Sequence, residues 1–159
     1  MSLAFAKGAH LATGIRILGI PSLLGWAEAL GSLPEHSQVV VWLDGRKGLA
    51  FRARYRRSGQ GWAQETKPAL IPLEKALEEL KGGEILTGDV PESRPADSRF
   101  AGLAWAPQER RRTSAAAIGR LAWPRLERGE SDDPETIEPL YLRLSEAEIL
   151  WQTRAASPR

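Results

Sequence analysis

The sequence has no cysteine at all. That excludes a disulfide framework, a thiolate metal site and a cysteine nucleophile. Only two histidines occur, His10 and His36, and no histidine pair stands at ligand spacing. A zinc hydrolase centre is therefore not expected, and no metal site is assigned. No apolar run approaches the roughly 20 residues that a membrane span requires; the longest candidate, 39–43, is strand-sized. Charge of one sign is not in excess either. Net charge is +2, far from the cationic balance of a dedicated nucleic-acid binder. Lys7 interrupts the only N-terminal apolar stretch and no cleavage pattern follows, so the sequence reads as cytoplasmic. Asparagine is missing and the single methionine is Met1. Such a bias fits a thermophilic source or a GC-rich genome equally well.

What remains is an ordinary globular composition, with 42% hydrophobic and 26% charged residues in 159, enough for one compact domain. Ser2 to Thr13 reads as a helix closed by Gly14, and Arg16 to Ile20 as a short buried strand closed by Pro21. Ser22 is the expected N-cap of a second helix running to Gly31. The middle differs. Gln38 to Leu43 and Leu49 to Arg57 read as strands joined by an Asp44-Gly45 turn, and Trp62 opens a third strand. Strict alternation puts Leu49, Phe51, Ala53 and Tyr55 on one face and Ala50, Arg52, Arg54 and Arg56 on the other. A helix is expected from Pro72 to Gly82, a brief strand at Glu84 to Thr87 and a surface loop at Asp89 to Asp97. Thr113 to Arg128 is helical, kinked or ended by Pro124. A last strand is expected at Leu140 to Leu142 and a final capped helix at Glu146 to Arg154.

The chemistry-bearing residues are sparse. Gly45-Arg46-Lys47-Gly48 invites a phosphate-loop reading, but it lies between strands and lacks the full motif, so a hairpin turn accounts for it better. Asp44 as a lone hydrolase carboxylate lacks a second placed acid. The row Arg52, Arg54, Arg56, with Arg57 and Arg110 to Arg112, offers contacts to RNA phosphates; the competing reading is a solvated strand face. Neither histidine has a triad partner at motif spacing, and no catalytic residue is assigned. In the first helix Ala4, Gly8 and Ala12 recur every four residues, a ridge of small side chains over which another helix can approach closely.

The segments 2–15 and 18–23 resemble the bacterial TsaB (YeaZ) family of tRNA threonylcarbamoyladenosine biosynthesis proteins. Asp44-Gly45-Arg46 resembles the family's Asp-Ala-Arg turn, and Glu138-Pro139-Leu140-Tyr141-Leu142-Arg143 its Glu-Pro-Leu/Val-Tyr-Leu-Arg signature. Three matches in order cover essentially the whole chain. Leu49 departs from the family, which often carries Glu there. The resemblance implies an α/β fold, the C-terminal part of an actin-like ATPase, RNase H-like (ASKHA) architecture with an antiparallel meander plus helices. It further implies that roughly the N-terminal third of family members precedes the position of Met1. Residues 1–31 would then be a helix–strand–helix remnant of the N-terminal lobe and 37–159 the C-terminal lobe of a single domain. The implied role is a non-catalytic subunit without cofactor, pairing with a TsaD-like transferase, joined by a TsaE-like ATPase and meeting tRNA only through that complex. The helix matching 2–13 is implied to form the partner interface through Ala4, Lys7, Gly8, Leu11 and Ala12. A homodimer is expected when no partner is present. The rival expectation is an RNA-binding module using the Arg52, Arg54 and Arg56 face.

Overall fold

The computed structural model describes residues 2–93 and 97–143. Helix α1 spans Ser2–Thr13 and α2 spans Ser22–Glu28. The strands β1 (Gln38–Asp44), β2 (Leu49–Ser58), β3 (Gly61–Pro72) and β4 (Ile85–Gly88) form one sheet in the order β3-β2-β1-β4. The first three make the expected antiparallel meander, while β4 returns parallel to β1, pairing Val39 with Ile85 and Val41 with Thr87. Helix α3 (Leu73–Glu78) follows β3, α4 (Val90–Ser93) follows β4, and α5 is Ala115–Glu127.

Period-two alternation divides the core between the two sheet faces. On one face Val39, Val41, Ala53 and Tyr55 pack with Leu23, Ala27 and Leu30 from α2 and the turn after it. On the other, Val40, Trp42, Ala50 and Leu86 pack with Leu73, Ala76, Val90 and Phe100. The predicted pairing of β1 with β2 holds along its length, Val39 facing Tyr55 and Leu43 facing Phe51. Alternation in β2 holds, since its register with β1 is unbroken and the extra residues of the irregularity lie in β3. Ala53 and Tyr55 are buried on one face and Arg54 on the other, against Glu84.

Several sequence expectations are corrected. Arg16 to Ile20 forms no strand. Only Ile17 is buried there, and among the described residues no strand closes a ladder on the segment. Leu140 to Leu142 is likewise not a strand: Leu140 and Tyr141 are exposed and the Tyr141 amide turns back to Pro139. Pro21, not Ser22, occupies the cap position of α2, where its fixed φ suits a helix entry. The loop expected from Asp89 begins instead with α4 and a fully buried Val90. Pro124 lies within α5 without ending it; its ring removes one amide from the ladder, and the Arg128 amide still reaches the Pro124 carbonyl at 3.3 Å. The final helix expected at 146–154 lies outside the described residues.

Gly88 fixes the end of β4. Its φ of 130° and the 1.7 Å gap between an added Cβ and the Trp42 carbonyl oxygen admit only glycine. This close crossing sets the following residue, Asp89, beside the β1–β2 turn.

Candidate functional site

Helix α1 has two unlike faces. Leu3 and Ala6 turn inward and line an open groove of about 1060 Å³. Ala4, Phe5, Gly8, Leu11 and Ala12 face solvent, with Phe5 79% and Leu11 83% exposed. Lys7 is half-buried on the flank. A Cβ added at Gly8 would meet nothing within 4 Å, so no contact among the described residues explains a glycine there. The helix is tied off at its C-terminal end. The Gly14 amide donates to His10 O at 2.7 Å, and His10 Nδ1 lies 2.7 Å from the Ile15 carbonyl. His10 thus braces the helix end.

The two motifs that sequence places almost a hundred residues apart meet at one corner of the sheet. The turn after β1 uses left-handed backbone at Arg46 (φ 61°), Lys47 (φ 51°) and Gly48 (φ 78°). Non-glycine residues adopt that conformation at a cost, and the neighbours hold it. Asp44 Oδ1 accepts the Arg46 amide at 3.1 Å, and Asp89 Oδ1 accepts the Asp44 amide at 2.7 Å. Arg143 Nη1 donates to the Gly45 carbonyl at 3.1 Å. The hairpin-turn reading of 44–48 is therefore the structural one, and no helix N-terminus follows it as a phosphate loop would need. Glu138, Pro139 and Tyr141 stand on the rim of the groove that α1 lines, all exposed. Asp89 is missed by sequence reasoning. Its signal was its position after a strand-ending glycine, which local composition disguised as the start of a loop.

The arginine row is internally paired, and two of its three members are largely buried. Arg54 is buried at 6% exposure and pairs with the buried Glu84 at 2.9 Å, while its other bond goes to the Glu79 carbonyl at 2.9 Å. The Glu84 carboxylate also accepts the Lys81 and Gly82 amides. Arg52 pairs with the Glu79 carboxylate, and burial together with the neighbouring Arg54 lowers its pKa. Arg56 pairs with Glu65 at 3.0 Å and is the most exposed of the three. Arg57 lies over the Trp62 ring and Arg111 over Trp105. Trp62 donates its indole N–H to Glu28 at 2.9 Å. Tyr55 is core, as its face predicted, and burial pushes its hydroxyl pKa up to about 12. Among the described residues no group of three or more histidines or carboxylates could hold a metal ion. No helix of the described chain is long and apolar enough to cross a membrane.

No protein-family profile matches the chain. It is 24% identical over 147 residues to the tRNA threonylcarbamoyladenosine biosynthesis protein TsaB of Escherichia coli K12, covering 90% of this chain and 64% of that protein. In fold it is similar to YeaZ from Pseudomonas aeruginosa, with a TM-score of 0.68 and 17% identity over 88% of this chain and 66% of that one. A second P. aeruginosa structure, described as an uncharacterized protein with similarity to peptidase YEAZ, matches with a TM-score of 0.66 and 17% identity. It covers 89% of this chain and 66% of its own. The chain thus spans slightly under two thirds of the length of the relatives it matches. The expected actin-like α/β architecture is the one these structures share with it. The chain is thus similar in sequence to TsaB and in fold to YeaZ.

Proposed function

We propose that the chain serves tRNA threonylcarbamoyladenosine synthesis as a non-catalytic scaffold, docking the outward face of α1 on a TsaD-like transferase. A TsaE-like ATPase joins that pair, and tRNA is engaged through the assembly. One observation carries the reading: in a chain whose sequence matches TsaB over 90% of its length, α1 holds Phe5 and Leu11 in solvent around Ala4, Gly8 and Ala12. Glycine inside a helix costs about 1 kcal/mol relative to alanine. Space at Gly8 is open, so close approach of a second helix from another chain is the compensation we assign. Fully burying Phe5 and Leu11 would contribute about 1.5–3 kcal/mol each. The same uncovered face favours pairing of two copies when the transferase is absent.

Sedimentation of the chain with and without purified E. coli TsaD tests this. A complex with TsaD is expected, as is a homodimer without it, and Gly8→Leu should weaken both by overfilling the contact. A wild type that stays monomeric at high concentration and ignores TsaD would overturn the reading. Labelled tRNA supplies the opposing arm. Direct binding that falls steeply with salt and is lost in Arg56→Gln would favour the RNA-binding module instead. The internal pairing of Arg52 and Arg54 speaks against that outcome.

A further inference from the structure

The run Arg110-Arg111-Arg112 differs from the arginines elsewhere in the fold. Those of the sheet and of α5 are occupied by carboxylates: Arg54 by Glu84 at 2.9 Å, Arg56 by Glu65 at 3.0 Å, Arg120 by Glu28 at 3.0 Å and Arg125 by Glu130 at 2.7 Å. Arg110 and Arg112 are exposed and hold no carboxylate among the described residues. Their neighbour Glu109 is also exposed and pairs with neither. The loop that carries them is fixed at both ends. It leaves the sheet edge at Trp105, which bridges to Leu86 of β4, and the Ala106 amide donates to the Leu86 carbonyl at 2.8 Å. A single 3₁₀ turn, Gln108–Arg110, is closed by the Arg110 amide on the Pro107 carbonyl at 2.9 Å. Arg111 lies over the Trp105 ring, 5.6 Å from its centroid. Ser114 then caps α5 by accepting the Ala117 amide at 3.2 Å. Arg111 thus holds the loop down, while its two neighbours keep their charge in solvent.

Two unneutralised guanidinium groups two residues apart, on a backbone pinned at either end, suit a polyanion. Guanidinium groups bind phosphate oxygens bidentately, and a loop already ordered loses less freedom on binding. Residues 107–114 include no aromatic ring to stack on a base, so the contact is to the nucleic-acid backbone and carries no sequence preference. We propose that Arg110 and Arg112 contact the phosphodiester backbone of RNA directly. The choice of RNA rests on the role proposed above, in which the assembly engages tRNA; the contact itself uses no residue of α1. It moves the cationic surface from Arg52, Arg54 and Arg56, whose charges are met internally, to the loop before α5.

The test is the anisotropy of labelled tRNA with the full chain alone at low salt, repeated with E. coli TsaD added. Two phosphate contacts make affinity fall about tenfold between 50 and 200 mM salt. Arg110→Gln combined with Arg112→Gln should remove that share, lowering affinity at 50 mM at least about fivefold and flattening the logarithmic salt slope by about 1.8. Arg56→Gln should bind tRNA as the wild type does, and the double variant should sediment with TsaD as the wild type does. Unchanged affinity and slope in the double variant overturn the proposal. So does a loss of tRNA binding in Arg56→Gln, or an absence of tRNA binding by the wild type in both arms. Loss of TsaD pairing in the double variant overturns it too, because the loop would then be meeting an acidic protein surface. A wild type that binds tRNA through this loop but ignores TsaD supports the contact and counts against the α1 reading alone.

Discussion

The sheet and the N-terminal arm obey the same sequence rules with opposite results. In the sheet, β1 is covered on both faces and bonded on both edges, and Val39, Val41 and Trp42 are wholly buried. In the arm, α1 forms but keeps Phe5 and Leu11 in solvent, and the segment at 16–20 fails to become a strand. A helix closes its own hydrogen bonds within one segment. A strand needs a neighbour, so its pattern is honoured only where a neighbour arrives.

Substitutions can break or sharpen this contrast. The largest loss is expected from Glu84→Ala, which leaves Arg54 buried without its carboxylate; about 3–5 kcal/mol should disappear from urea unfolding. Replacing both partners, Arg54→Met with Glu84→Leu, should cost far less than the single change. Gly88→Ala should follow, at about 3 kcal/mol, because its Cβ would collide with the Trp42 carbonyl in a conformation alanine resists. Arg143→Ala should cost about 1 kcal/mol and speed amide exchange in the 44–48 turn.

In the arm the sign reverses. Gly8→Ala meets open space, so it should stabilise α1 by about 0.5–1 kcal/mol, seen as slower exchange of its amides, while weakening association. A stable monomer with no gain at α1 would blur the contrast. The smallest effect at neutral pH is expected from Tyr55→Phe, since the buried hydroxyl has no hydrogen-bond partner among the described residues. Alkaline solution separates the two proteins. The unfolded phenol ionises near 10 and the folded one near 12. Its neutral form thus favours folding fully below pH 10, and that contribution is lost as pH rises toward 12. Thermal melts across that window should fall more steeply for the wild type than for the variant.

The meander was legible because β1 and β2 alternate cleanly and the Asp44–Gly48 turn punctuates them. The length of β3 was not: Gly61–Pro72 carries Gln64, Glu65 and Lys67 on an edge that solvent tolerates, so hydropathy alone ended it early. Arg54 keeps the face its spacing predicted, but its burial was not legible, because its partner Glu84 lies thirty residues on. The outward face of α1 was readable from the spacing of Ala4, Gly8 and Ala12. The corner joining Asp44, Asp89 and Arg143 was not, since three distant segments build it and no local pattern links them.

The strand order also carries a kinetic consequence. β1, β2 and β3 are joined by turns of a few residues, whereas β4 meets β1 only after the chain has passed through β2, β3 and α3. Loop closure is cheapest for the two hairpins, and parallel pairing across a long connection is slow. The meander should therefore assemble first, and docking of β4 on β1 should be the late step that commits the second core. Until then the β1 edge is open, and the nascent chain is most exposed to pairing with the wrong strand.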